Sequence, residues 1–404
     1  MTAVVSLLAA TPRLRPDVTL GPPLLAGAAV THAVKDQRIG LFYRIGPKEH
    51  FIASRLDGRR SLAQIGDEYT LAYGRRLDEA RWQQILGQFA GRRLLVGTDT
   101  DAALEQLAAA ARDKDRAART ILHRRLPLFD PDRFLGRVEP LLRWAFARWF
   151  VVPALLVLAA MTAVIAANGA ILYRDAGSIW STAPLAGVAA IVVIWLTVAL
   201  HELAHGLTCK HYGGSAPEIG VLWRFPLLSP YCKADDVVLF AGRWHRVATA
   251  FAGVFVNLLA VVPFCLLWLV TAPGGDPHRF AAFVTLYGGA FALINLVPFL
   301  RLDGYFMLGY ALGMQNLRGE TYRYWAGVLR LRPVAGPQPR SAVVAYVVYG
   351  VTSLVFTVSV VVLVIGSWYA RLNGWFGPLA ALGVLAALAL SITTAITLHR
   401  RRTP

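Results

Sequence analysis

The sequence predicts a mainly α protein: a polytopic membrane helix bundle of about six transmembrane helices, preceded by a small α+β winged-helix domain. Three observations carry this. The chain of 404 residues is 56% hydrophobic with a formal charge of +17, which fits a basic membrane protein with room for one soluble domain. From residue 150 onward, long apolar segments recur near 150–173, 183–210, 246–272, 280–300, 342–369 and 376–398, each close to the length that crosses a bilayer. Residues before 150 contain no such run and instead show turn and capping signals.

Residues 1–100 form the soluble domain. Val30–Ala33 and Gly40–Ile45 read as a hairpin around residues 35–38, followed by helices at Pro47–Leu56, Leu62–Tyr73 and Glu79–Phe89 and a closing strand at Leu94–Val96. Ser61 with Gln64 fits a capping box and Asp78 an N-cap. Residues 101–149 form a helical linker. Its second half, from 124, alternates Arg with Leu, Phe and Trp, as expected of an amphipathic helix at the membrane interface. Residues 150–404 are the membrane domain. Residues 301–341 form a polar connector with an apolar patch at Tyr305–Leu312. The N-terminus lacks the basic start of a secretory signal peptide. Cys209, Cys232 and Cys265 are too few and too scattered for a disulfide framework or a thiolate zinc site, and read as small buried residues.

Basic residues set the expected orientation. Beyond residue 150, one set of loops holds only Arg174, Arg279 and Arg371, and the other set holds every remaining Lys and Arg. The richly basic side is expected to be cytosolic, which places both termini there. Basic patches in the first domain then face an anionic membrane, and no nucleic acid partner is expected.

Residues 201–205 read His-Glu-Leu-Ala-His and end the uncharged run 183–200. On one helix, His201 and His205 share a face, a spacing that grips one zinc ion, and Glu202 beside them suits a general base. Of the acids beyond residue 150, only Glu202 and Asp303 lie in apolar surroundings. An ionisable group near mid-bilayer costs about 2.5–3.5 kcal/mol on insertion scales, so such groups are expected to have a partner and a use. A catalytic zinc typically takes three protein ligands, and Asp303 is the available third. Pro298 breaks the helix near it, and Asn295 is placed to donate to a substrate carbonyl. His211 reads as interfacial, His245 and His278 as loop residues, and Asp235 and Asp236 as solvated loop acids or, alternatively, a clamp near the site.

HELAH on one membrane helix, with Asn295-x-x-Pro298-x-x-x-Leu302-Asp303-Gly304 on a later one, resembles the site-2 protease family of intramembrane zinc metalloproteases. Ala252-Gly253-Val-Phe-Val-Asn257 is similar to the family's Gly-Pro-x-x-Asn motif, with Val254 in place of the common proline. Tyr231–Asp236, followed by Arg243-Trp244, resembles the bacterial peptide zinc metalloprotease branch. The resemblance implies hydrolysis of a peptide or membrane-protein substrate at a bacterial cell membrane. It implies Zn2+ on His201, His205 and Asp303, Glu202 as base, and Asn295 and Asn257 as substrate-positioning groups. The loop from Tyr212 to Arg243 is expected to form a membrane-dipping hairpin that pairs with an extended substrate.

Phe42–Val96, centred on Leu56–Ile65, resembles PqqD-like domains, which take a leader peptide as an added strand. Together the resemblances imply maturation of a ribosomally made peptide. Regulated proteolysis of a membrane-tethered regulator is the alternative enzyme role. A non-catalytic membrane binding or immunity protein is the alternative class. Oligomeric state is not encoded in any motif.

Overall fold

The computed structural model of the chain describes residues 7–27, 29–117, 123–224, 227–330, 338–387 and 391. It divides into two compact units, Met1–Asn316 and Leu317–Pro404. The first opens with three antiparallel strands in the order β1 (Val18–Ala26), β2 (Ala29–Asp36) and β3 (Leu41–Ile45). Helices α1 (Pro47–Ala53), α2 (Leu62–Tyr73) and α3 (Glu79–Gly91) follow. The predicted hairpin is thus present and longer at its first strand. β1 is the larger addition: Pro22 and Pro23 interrupt its pattern, and the pairing accommodates them with a register shift between Leu20 and Pro23.

The capping signals act as predicted. Ser61 Oγ accepts from Gln64 N–H while the Gln64 side chain accepts from Ser61 N–H, and Asp78 accepts from Arg81 N–H. These caps aim α2 and α3 so that Leu62, Ile65, Trp82 and Phe89 meet Ile45 and Ile52 in one core. Leu94–Val96 is a single bridge from Leu95 to Leu14 rather than a strand. Arg15 and Asp36 are buried together at 2.7 Å, and Asp36 also accepts from Arg38 N–H in the β2–β3 turn.

The linker departs from its prediction. After α4 (Asp101–Ala117), the segment read as the start of an interfacial helix is a strand, β4 (His123–Phe129). It pairs antiparallel with β5 (Glu218–Arg224), which pairs in turn with β6 (Leu227–Lys233). A partner strand nearly a hundred residues away outweighs the local helical pattern, and Pro127 within the segment disfavours a helix interior. Helix resumes only at α5 (Asp132–Leu142).

α5 is bolted to the helix that carries HELAH. Lys210 Nζ donates to Asp132 Oδ2 at 2.6 Å, and His211 Nδ1 lies 2.8 Å from Glu139 Oε1 while its ring stacks on Phe146. Burial pushes the Asp132 carboxyl up, but the Lys210 ammonium and the Ala216 N–H outweigh it and hold it below its ordinary 3.8. Arg143 and His211 hold Glu139 below its ordinary 4.5. A carboxyl with a depressed folded-state pKa stabilises fully above its unfolded value and loses that contribution as pH falls through the folded one. Wild type is therefore expected to unfold at a higher temperature than Asp132→Asn at pH 7. The gap should close as pH falls below 3.8. A gap that is constant from pH 7 to pH 2.5 in thermal unfolding would count against this clamp.

Among the described residues, four helices are long and apolar enough to cross a membrane: Arg148–Thr182, Pro184–His211, Arg243–Val270 and Arg340–Phe376. The first comprises α6 (Arg148–Gly177) and the one-turn α7 (Ile179–Thr182); the next two are α8 and α9. The predicted span near 280–300 is broken instead. It runs as α10 (Asp276–Phe283), a π-helical turn at Val284–Gly288 and α11 (Gly289–Ile294), then turns through Pro298 into α12 (Asp303–Leu312). Proline removes an N–H and a π turn adds a residue to the ladder, so neither allows one straight helix. Leu172, Ala176, Ile179, Trp268 and Phe283 pack α6, α7, α9 and α10 together near one end of the bundle. There His278, predicted in a loop, is a buried residue of α10 that bonds Asp175 and Thr271.

The second unit contains α13 (Leu317–Leu329) and α14 (Arg340–Phe376). Trp325 Nε1 donates to Tyr346 O at 3.2 Å, and Gly350 leaves the space the indole fills. The last predicted span, near 376–398, appears as an apolar helix at Pro378–Ala387, and its remainder lies outside the described residues apart from 391.

Candidate metal centre and active site

HELAH lies near the end of α8. His201 is 4% exposed, and its ring sits one turn from that of His205. The two Nε2 atoms approach to 3.1 Å. Asp303 begins α12 and brings Oδ2 to 2.9 Å from His201 Nε2 and Oδ1 to 3.4 Å from His205 Nε2. One ligand atom from each of the three residues falls within 4.8 Å of the others.

Two helices shape this convergence. On α9, Thr249 O accepts from His205 Nδ1–H at 2.7 Å, which fixes the ring with Nε2 toward Asp303. One turn on, Gly253 faces both rings: a Cβ there would stand 2.5 Å from His205 Nε2 and 2.6 Å from His201 Nε2. On the other side, Gly304 lies against the 295–296 turn. Its N–H donates to Asn295 O at 2.7 Å, and a Cβ would meet Leu296 O at 2.1 Å. The small residue beside Asp303 thus lets the start of α12 close on the end of α11.

These residues fit a zinc ion. Two imidazole nitrogens and one carboxylate are the donor set of a hydrolytic site, and they converge in a buried setting. Among the described residues, Asp303 Oδ2 is buried and, although 2.9 Å from His201 Nε2, completes no hydrogen bond there. Orphaned polar atoms of this kind are uncommon in proteins and mark a place where an ion or water belongs.

Glu202 projects from the same turn of α8. Its Oε2 accepts from the backbone N–H of Cys232 on β6 at 2.8 Å. A β-hairpin, β5–β6, thus forms within the 212–243 loop, with β6 beside the glutamate. β5's other edge is taken by the chain's own β4, so β6 carries the edge next to Glu202. Pro230, two residues from Cys232, has no N–H, so this stretch of edge offers mainly carbonyl acceptors.

The two asparagines are placed differently. Asn257 is fully buried on α9, one turn beyond Gly253, and neither amide atom is bonded among the described residues. Asn295 donates a side-chain N–H back to Phe291 O at 3.0 Å, one turn earlier in the chain. Arg246, two turns before Gly253, is buried, and among the described residues its Nε and Nη1 have no hydrogen-bond partner. Of the loop acids, Asp236 is buried and bonded rather than solvated, which corrects the simpler prediction. His245 belongs to α9 and stacks on Tyr212 instead of lying in a loop. Sequence reasoning did not find the Thr249 carbonyl or the Cys232 N–H, because backbone groups leave no mark in residue type.

No protein family, curated protein or solved structure matches this chain.

Proposed function

We propose that the chain is an intramembrane zinc endopeptidase of the site-2 protease type. The observation that carries the reading is the convergence of His201, His205 and Asp303, with Glu202 on the adjoining position of α8. His201, His205 and Asp303 would hold a zinc ion, which when bound would supply Lewis-acid activation of a water and of the scissile carbonyl. Glu202 takes the proton of the attacking water and passes it to the leaving amine. The hydrogen bond from Cys232 N–H holds that carboxylate beside the edge strand β6. An extended substrate lying along this edge presents its carbonyl next to both groups.

Six membrane spans, with both termini cytosolic in a bacterial cell membrane, complete the proposed topology. The first domain acts as a winged-helix, PqqD-like module. β3 is an edge strand of its sheet, a position that suits addition of a leader peptide. The proposed role is maturation of a ribosomally made peptide.

A pull-down with the Glu202→Gln form tests this directly. It is expected to retain an uncleaved peptide that wild type cuts. If the peptides it captures are left intact by wild type, the protease reading fails. Asp303→Ala is expected to reduce bound zinc from about one ion per chain to a small fraction of that. Unchanged stoichiometry by elemental analysis would remove Asp303 from the ligand set.

A further inference from the structure

We infer that Lys35 of the N-terminal sheet is a positioning residue for Glu202, acting through the β5–β6 hairpin; this rests on the protease reading above. Lys35 lies on β2, paired with Thr19 on β1 and Phe42 on β3. Its Nζ leaves the sheet and reaches Asp236 Oδ1 at 2.6 Å, Asp236 Oδ2 at 2.8 Å and Ser215 Oγ at 3.1 Å. Asp236 Oδ2 also accepts from Ser215 N–H at 2.9 Å and Ser215 Oγ–H at 2.7 Å. Both charged side chains are about nine-tenths buried, at 12% and 10% exposure.

The positions of these residues in the chain give the network its consequence. Ser215 stands just before β5 and Asp236 just after β6. The ammonium therefore closes the root of the hairpin. Four residues before Asp236, Cys232 donates the N–H that holds Glu202. A path from β2 to the proposed general base thus runs through the Lys35–Asp236 contact, four residues of backbone back to Cys232 on β6, and the hydrogen bond to Glu202. A second attachment reinforces it. Leu25 N–H on β1 donates to Gly313 O at 2.9 Å and Gln315 N–H donates to Leu25 O at 2.7 Å, just past the end of α12. The N-terminal sheet thus bears on the hairpin beside Glu202 and on the helix that begins with Asp303.

Removing one member of a buried ion pair leaves the other charge uncompensated, so the root of the hairpin loosens when Lys35 loses its ammonium. Lys35 and Asp236 touch none of the proposed ligands, and zinc binding stays intact. The N-terminal domain is then a working part of the catalytic site as well as a docking module.

The test uses full-length Lys35→Met, Lys35→Arg and Ser215→Ala proteins in detergent. Amide hydrogen exchange over residues 229–233, zinc content, and kcat and KM on the peptide captured by Glu202→Gln are measured. Lys35→Met is expected to speed exchange at least tenfold and lower kcat at least tenfold, with KM within twofold and zinc unchanged. Lys35→Arg restores both. Ser215→Ala, a milder change that keeps the ion pair, moves both in the same direction by less. Wild-type exchange in Lys35→Met overturns the coupling. Faster exchange with an unchanged kcat overturns the positioning role. Exchange reads the coupling even if wild type cuts no peptide, which separates failure of this inference from failure of the protease reading.

Discussion

Glu202→Gln is expected to slow peptide cleavage by about 10²–10⁴-fold, the usual contribution of a positioned general acid–base group. Glutamine keeps the length of the side chain and an oxygen able to accept from Cys232 N–H, the bond seen at 2.8 Å. It lacks the basicity to take a proton from water. Because Glu202 is not among the three converging ligands, zinc content should equal that of wild type. The pair of readouts matters: loss of both activity and metal would point to misfolding. A Gln variant that cleaves at the wild-type rate would rule out Glu202 as the base.

The second large effect comes from a single methyl group. Gly253→Ala places a Cβ 2.5–2.6 Å from the Nε2 atoms of both histidines, well inside van der Waals contact. Thr249 O holds the His205 ring from the same helix, so that ring cannot retreat without losing its hydrogen bond. Disturbing a ligand's outer partners alone lowers metal affinity about 10–100-fold, and here both ligating nitrogens are displaced. Affinity is expected to fall by more than that. Helix propensity pulls the opposite way, favouring alanine over glycine by about 1 kcal/mol. In metal-free Gly253→Ala that gain offsets part of the cost of displacing the rings, so folding is expected to change far less than zinc affinity does. Titration with zinc in a chelator-buffered solution decides the matter; wild-type affinity would show that the rings are not confined as described.

Local signals were legible wherever chemistry or backbone preference is written in residue type. The Ser61–Gln64 box and Asp78 started helices where expected, because a side-chain oxygen over free N–H groups is a local interaction. HELAH fell on a helix and Asp303 met it, because acids and histidines in an apolar segment need one another. Legibility failed where a distant partner intervened. Residues 123–129 have the composition of an interfacial helix, but β5 offers a ladder and they become a strand. The segment near 280–300 has the apolarity of a span, but it breaks into α10, a π turn and α11 so that the chain can return to Asp303. Asp236 resembles any surface acid until Lys35, some two hundred residues earlier in the chain, is placed against it.

The sequence by itself determined four membrane-length apolar helices, the helix starts of the first domain, and the identity of the proposed ligands and base, since hydropathy, capping and donor chemistry are properties of residues and short windows. Only the tertiary structure decided that Gly253 leaves room for both imidazoles, that Thr249 sets the orientation of one, that Cys232 holds Glu202, and that the first domain grips the hairpin through Lys35. Those are backbone positions and long-range contacts, and they exist only once packing has brought distant segments to hydrogen-bonding distance.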